Sequence, residues 1–163
     1  MTTEPSPFDL PGVTWQRVSP RLVPARQIAV ALTLVVPLLV GVVLAVLVHP
    51  AFWVLAGVVA VLWAWIAIVV VRQVRAIGYV EREDDLLIRK GVMFRNLVVV
   101  PYGRMQYVEE TQGPLARMFG IKSLQLHTAA ATTDASIDGL DPAEAARLRD
   151  RLASRGEARL AGL

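Results

Sequence analysis

The side chains of this sequence that could do acid–base or metal chemistry are few and scattered. The chain has two histidines, His49 and His127, and no cysteine. Without cysteine there is no thiolate nucleophile, thiolate metal site or disulfide. Glu109 and Glu110 lie in a stretch with the alternation of a strand, so their side chains point to opposite faces and do not form a carboxylate dyad. We therefore expect no catalytic, metal or cofactor site.

Two long apolar segments separate the N-terminal residues from the rest of the charged chain. Residues 28–48 and residues 52–71 contain no Asp, Glu, Lys or Arg. As helices they would each span about 30 Å, the thickness of a bilayer core. His49 and Pro50 separate them, and so short a link makes the helices antiparallel neighbours. The segments predict a transmembrane helical hairpin, residues 28–71, whose uncharged interior argues against a transporter.

Basic residues flank the hairpin on both sides and are absent from its connecting turn. The flanking arginines are Arg17, Arg21, Arg26, Arg72 and Arg75. Because positively charged flanks favour the cytoplasmic side, we predict a multi-pass protein of the cell membrane with both termini in the cytoplasm. The cytoplasmic N-terminal segment would be residues 1–27. We expect these five arginines to lie at the membrane surface, each attracted to anionic headgroups by about 1 kcal/mol.

Small residues recur along both apolar segments. They are Ala29, Thr33, Pro37, Gly41 and Ala45 in the first, and Gly57, Ala60, Ala64 and Ala67 in the second. Such stripes let helices approach closely, either within one hairpin or between two hairpins. The sequence favours contact within the hairpin and leaves dimerisation open.

After the hairpin the pattern changes to short alternating segments that predict strands. They cover residues 76–83, 86–90, 95–100, 105–111 and 122–128, and residues 132–137 could add another. Asp141, Pro142 and Glu144 then form the start signal of an amphipathic helix. We expect a small antiparallel barrel closed by this helix over residues 72–155, followed by a flexible tail, residues 156–163.

Five stretches of the C-terminal part resemble a known family. They are residues 86–91 (LLIRKG), 100–108 (VPYGRMQYV), 112–120 (QGPLARMFG), 124–128 (LQLHT) and 139–141 (GLD). The family is the bacterial pleckstrin-homology-like, membrane-flanked domain family in its YdbS-like form. The resemblance implies a mainly-β pleckstrin-homology-like fold, a bent seven-stranded barrel capped by a C-terminal α-helix. It also implies association with larger membrane proteins that carry several copies of the domain, and it implies no established reaction.

Residues 104–120 are the most family-specific part of this resemblance, and four of them are the candidate partner-binding residues. They are Arg104, Gln106, Arg117 and Phe119. Arg104 and Gln106 could instead brace the loop at Gly113 by hydrogen bonds, and the sequence does not decide between the two roles.

These observations predict a non-enzymatic accessory or scaffold protein that binds a membrane protein partner at the cytoplasmic leaflet. The partner would be a larger membrane protein with several pleckstrin-homology-like domains, or a second copy of this chain. The alternative is a sensor of anionic lipid headgroups, which Arg89, Lys90 and Arg95 would favour and the acidic turn at residues 83–85 would oppose. A net charge of +3 spread over the chain gives no basis for nucleic acid binding.

Overall fold

The computed structural model describes residues 14–129 and 135–160 of the chain. These residues form two compact units. One is the helical hairpin, residues 23–72, and the other combines the described residues up to Leu22 with those from Gln73 onward. We call the second unit the domain. The sequence analysis predicted a domain that begins after the hairpin, at residue 72. The structure shows that the described residues before the hairpin belong to the same domain.

The hairpin consists of two long helices, α1 (Leu22–Leu47) and α2 (Trp53–Ala76), joined by a short 3-10 turn, Pro50–Phe52. Nδ1 of His49 accepts a hydrogen bond from the N–H of Ala51 at 3.1 Å and caps this turn. In the most apolar 18 residues of each helix, only 11% of the residues of α1 and 17% of those of α2 are buried, so these are not core helices of a soluble domain. The predicted two-helix hairpin is confirmed, with surfaces suited to lipid.

The small-residue stripes pack partly within the hairpin. Gly41 lies against Ala56, because a Cβ added at Gly41 would be 3.2 Å from the backbone nitrogen of Ala56. Ala45 is also buried, whereas Gly57 and Ala60 are exposed. The close helix contact within one hairpin therefore uses part of the stripe on α1, which is the role that the sequence favoured.

The described residues of the domain form seven strands in two antiparallel sheets. Sheet A has the order β1 (Gln16–Arg17), β2 (Gly78–Glu81), β3 (Asp85–Lys90) and β4 (Asn96–Pro101). Sheet B has the order β5 (Met105–Thr111), β6 (Lys122–Thr128) and β7 (Ala135–Leu140). A short helix, α3 (Pro114–Met118), joins β5 to β6, and α4 (Pro142–Leu160) follows β7. The predicted seven-stranded fold with a C-terminal helix is confirmed.

The first two strands are neighbours in sheet A although the whole helical hairpin lies between them in the chain. Gln16 pairs with Tyr79, and Arg17 pairs with Gly78. The hairpin is therefore an insertion between β1 and β2. Both of its flanks belong to the same domain.

The residues that follow β1 are fixed onto β7. The N–H of Ser19 donates to the carbonyl of Gly139 at 2.7 Å. The side chain of Leu22 packs on Gly139, which has a positive φ of +79°. Nη1 of Arg21 lies 3.4 Å from Oδ1 of Asp141. This short segment therefore joins sheet A to sheet B.

Helix α4 packs against β5, β6 and the turn Tyr102–Arg104. Its buried face consists of Ala145, Leu148 and Leu152, which are all fully buried. Burying each leucine stabilises the fold by roughly 1.5–3 kcal/mol relative to leaving it exposed. These three residues are the apolar face that the helical periodicity predicts.

Helix α4 also continues beyond its predicted end. The sequence analysis treated residues 156–163 as a flexible tail, but α4 extends to Leu160 and Gly156 is buried. Residues 161–163 of that predicted tail, and residues 1–13 at the other terminus, lie outside the described residues. The apolar stripe that marks this helix stops before Gly156, which is why the sequence placed the end too early.

Replacing Gly156 with alanine is expected to stabilise the domain. An added Cβ would come no closer than 3.9 Å to Met105 and Tyr102, which is ordinary contact. Alanine is favoured over glycine inside a helix by about 0.5–1 kcal/mol. Urea unfolding of the full chain in detergent measures this gain. A flexible tail at this position would leave the free energy of unfolding unchanged.

Candidate functional site

The four predicted partner-binding residues lie near the two ends of strand β5. Arg104 precedes β5 and Gln106 is its second residue, whereas Arg117 and Phe119 lie in and just after α3, beyond its other end. A strand of this length extends roughly 20 Å. The structure therefore brings Arg104 and Gln106 together and separates them from Arg117 and Phe119.

The loop at Gly113 is braced by Gln112, a residue of the family-like stretch 112–120 to which the sequence analysis gave no role of its own. Nε2 of Gln112 donates to the carbonyl of Ile121 at 3.0 Å, which ties the start of the loop to its end. Arg104 and Gln106 are both exposed. Gln112 thus makes a bond of the kind that was the alternative role for these two residues.

Gln106 lines a groove between strand β5 and helix α4. The groove has a volume of about 300 Å³. Its strand side consists of Met105, Gln106, Tyr107 and Val108, and its helix side of Arg149, Leu152, Ala153, Gly156 and Glu157. Met105 and Leu152 are buried and give the groove an apolar floor, while the charged residues are near its rim. Gly156 adds no side chain, which leaves the groove open at that point.

Strand β5 forms one edge of sheet B. It pairs with β6 on one side, and no strand in the described part of the chain pairs with its other side. A β-bulge between Met105 and Tyr107 leaves Gln106 out of the pairing register. An edge of this kind presents backbone N–H and C=O groups, and an extended peptide can pair with it as a further strand.

The charges at the rim of the groove balance each other. Nη1 of Arg149 lies 3.1 Å from Oε2 of Glu110, and its Nη2 lies 2.8 Å from Oδ1 of Asp150. The other carboxylate oxygen of Glu110 contacts Nζ of Lys122. The rim therefore does not present the cluster of unbalanced positive charge that would favour a phosphate group.

A second group of charged side chains attaches α4 to β2. The carboxylate of Glu81 is only 7% exposed and lies 2.7 Å from Arg147 and 3.2 Å from Arg151. Arg147 also contacts Glu144 at 2.6 Å, and Glu144 accepts a hydrogen bond from the hydroxyl of Tyr79 at 2.7 Å. Burial and the bond to Glu144 raise the pKa of Tyr79, so its hydroxyl stays a donor. Each carboxylate has donors from the opposing element, which gives this group a structural role.

The pKa of Glu144 lies below its ordinary value, chiefly because Arg147 donates hydrogen bonds to its carboxylate. Burial raises this pKa, and the hydrogen bond from Tyr79 lowers it further. The stability from such a group is fully present above the unfolded pKa of about 4.3 and is lost as the pH falls through the lower, folded value.

We expect Glu144→Gln to lose less stability than the wild type when the pH is lowered from about 6 to about 3.5. The amide cannot take up the proton that weakens the contact with Arg147. Urea unfolding at the two pH values measures the difference. An equal loss in both proteins would show that Glu144 does not contribute to acid sensitivity.

His127 lies on the outer face of sheet B. Its ring stacks on Tyr107 with centroids 4.4 Å apart, and its Nε2 lies 3.5 Å from Oε2 of Glu109. Glu110 points the other way and contacts Lys122, so the adjacent carboxylates diverge as the strand alternation predicts. The groove lining does not include His127. Within the described part of the chain, no group of three or more His, Asp or Glu residues could hold a metal ion.

The five flanking arginines lie where the chain approaches and leaves the apolar helices. Arg17 is in β1, Arg21 is in the turn before α1, and Arg26 is in the first turns of α1. Arg72 and Arg75 are exposed in the last turns of α2. Helix α1 therefore begins before its uncharged segment and α2 ends after its own, and arginines lie at both flanks of the hairpin.

Comparison with known proteins agrees with this architecture. The family model of the bacterial PH domain matches residues 19–156, a span that includes the hairpin. The chain is 32% identical over 109 residues to the UPF0699 transmembrane protein YdbS of Bacillus subtilis (strain 168), which covers 64% of this chain and 67% of that protein. No solved structure matches the chain. The chain therefore belongs to the bacterial PH domain family, as a membrane-associated protein similar to YdbS.

Proposed function

We propose that this chain is a non-enzymatic accessory protein whose domain binds an extended segment of a membrane protein at the cytoplasmic leaflet. The observation that carries the proposal is the groove between the unpaired edge of β5 and helix α4. Backbone groups of the edge would hold the segment as an added strand, and the groove would accept its side chains. Gln106 lines this groove, and Arg104 directly precedes it in the chain.

The chemistry of the groove favours a peptide over a lipid headgroup. Its floor is apolar, and its rim arginine is already balanced by Glu110 and Asp150. A headgroup sensor needs a convergent set of donors for phosphate, and the groove lining offers one arginine and one glutamate. The groove therefore supports partner binding better than it supports the sensing of anionic headgroups. Arg117 and Phe119 lie beyond the far end of β5 and are not part of this surface.

The pairing of β1 with β2 supports the proposed orientation. One domain contains both flanks of the hairpin, which supports placing both flanks on the same side of the membrane. The basic flanks favour the cytoplasm as that side. The domain would then meet the cytoplasmic segments of other membrane proteins. The partner we expect is a larger membrane protein with several pleckstrin-homology-like domains.

Photocrosslinking in native membranes tests the proposal. A photoreactive amino acid replaces Gln106 in the groove, and in a matched control it replaces Gln125, an exposed glutamine on β6 outside the groove lining. We expect a crosslinked membrane protein from position 106 and several-fold less from position 125. Ala153→Arg, which fills the helix side of the groove, should reduce the product at position 106.

Two outcomes would contradict the proposal. Equal products at the two positions, unaffected by Ala153→Arg, would show that the groove is not the binding surface. Crosslinking of position 106 to lipid alone would favour the headgroup sensor instead.

A further inference from the structure

The turn between β3 and β4, residues 91–95, exposes two large apolar side chains. Met93 is 88% exposed and Phe94 is 87% exposed, more than any other large apolar side chain in the described part of the chain. Neither residue contributes to the core. Large apolar side chains at a projecting tip are costly in water unless another surface covers them.

The conformation of this turn is fixed by its first residue. Gly91 has a φ of +96°, and a Cβ at this position would lie 2.0 Å from the carbonyl oxygen of Phe94. Only glycine fits so close to the returning chain. The strands on either side stay paired up to Lys90 and Asn96. The two apolar side chains are therefore presented by a tight turn at the end of a paired hairpin.

The strand register places this turn at the end of sheet A that is connected to the membrane helices. Arg89, just before the turn, pairs with Gly78, and Gly78 pairs with Arg17. Gly78 follows closely after the end of α2 at Ala76, and the chain passes from Arg17 into α1 at Leu22. The exposed tip and both chain connections to the hairpin thus share one end of the sheet.

The two ends of sheet A differ in charge, and the end with the apolar tip is the basic one. Lys90 and Arg95 flank the apolar tip, and Lys90 is held by a hydrogen bond to Oγ of Ser136 at 2.9 Å. At the opposite end of the sheet, the turn between β2 and β3 carries two acidic residues, Glu83 and Asp84, and one arginine, Arg82. Basic residues beside exposed apolar ones are the combination that binds an anionic bilayer surface, because the side chains insert while the cations meet headgroups.

We propose that the β3–β4 turn is a second membrane anchor, in which Met93 and Phe94 insert into the leaflet beneath the domain and Arg95 meets the headgroups. The occupant is lipid, because the tip lies at the end of the domain from which the chain enters the bilayer. The inference does not depend on the proposed function of the groove. With the hairpin, this contact would fix the orientation of the domain on the membrane surface.

Site-specific fluorescence of the full chain tests this directly, since the chain has no cysteine. Phe94→Cys, and the matched control Glu83→Cys in the opposite turn, each receive an environment-sensitive label. The proteins are reconstituted into vesicles that contain anionic phosphatidylglycerol and a quencher attached to the lipid acyl chains. We expect a blue-shifted emission and several-fold stronger quenching at position 94 than at position 83. Met93→Asp should reduce the quenching at position 94.

Emission at position 94 as water-exposed as that at position 83 would overturn the proposal. So would a label at position 94 that responds only when other membrane proteins are present, because the tip would then be covered by protein. Phe94 and Glu83 are both exposed, so replacing either with cysteine is not expected to affect folding. The crosslinking result for the groove can fail or succeed independently of this one.

Discussion

Gly139→Ala is expected to destabilise the domain by about 3 kcal/mol, since the alanine would be held in the left-handed region and would also overlap a neighbour. Gly139 has a φ of +79°, and an added Cβ would lie 2.8 Å from both Cβ and Cδ2 of Leu22. Because the Cβ of Leu22 is attached directly to the backbone, the clash requires the N-terminal segment to move. The loss therefore measures how firmly that segment is packed on β7. Pulse proteolysis in urea, on the full chain in nanodiscs, reports the free energy of unfolding.

Gly113→Ala is the matched control for this experiment. Gly113 has a φ of −70°, and a Cβ there would have no atom within 4 Å. We expect a change within about 0.5 kcal/mol, as for most surface substitutions. Leu22→Ala removes the Cγ and Cδ2 contacts, so the double variant with Gly139→Ala should lose less than the sum of the single losses. A strictly additive result would show that the two residues do not touch.

Replacing both Arg147 and Arg151 with methionine is expected to cost about 3 kcal/mol or more, because a buried carboxylate would lose its counter-charges. Glu81 is the carboxylate in question, with 7% of its side chain exposed and an arginine on each of its oxygens. The contacts join α4 to β2, so their loss should loosen the helix from sheet A. Hydrogen exchange of α4 and urea unfolding both measure this effect.

Adding Glu81→Met to that double variant should recover most of the lost stability, since an apolar side chain needs no partner in the same place. Arg117→Met is the control, because Arg117 is exposed on α3 and outside this group of residues. We expect it to leave the free energy of unfolding nearly unchanged. A triple variant no more stable than the double would mean that the arginines act by packing and not by charge.

The sequence predicted the elements that leave a local pattern. The uncharged segments identified the hairpin, and the alternation in residues 105–111 and 122–128 gave β5 and β6 with the same bounds as in the structure. Each helix extends beyond its apolar segment at the end away from the connecting turn, because Arg26 and Arg72 are compatible with helix although they end the hydrophobic stretch. Hydropathy marks the part of a helix that meets lipid and not its full length.

Strand β1 could not be predicted because it has only two residues and no alternation. Its partner strand lies beyond the hairpin, and the pairing of Gln16 with Tyr79 leaves no local signal. Trp15 was assigned to no element, yet the guanidinium of Arg89 lies 4.4 Å from the centroid of its ring. Contacts between residues so far apart in the chain form only once the sheet is assembled.

The candidate site was predicted only on its strand side. The sequence analysis grouped Gln106 with Arg117 because both lie in the most family-specific part of the chain, although the strand between them separates them in space. The helix side of the groove was missed. Ala153 and Gly156, three positions apart on α4, were the available signal, because small residues on one face of a helix leave space beside it.

One domain assembles from both flanks of the membrane hairpin. Crosslinking between Arg21→Cys and Asp141→Cys with a short bifunctional reagent tests this assembly, since these exposed side chains lie 3.4 Å apart. In membranes we predict an efficient crosslink within one chain for this pair. A control pair of Arg21→Cys with Glu83→Cys, at the opposite end of sheet A, should give none. No crosslink for the first pair, or equal crosslinking of both pairs, would show that the two flanks do not share one domain.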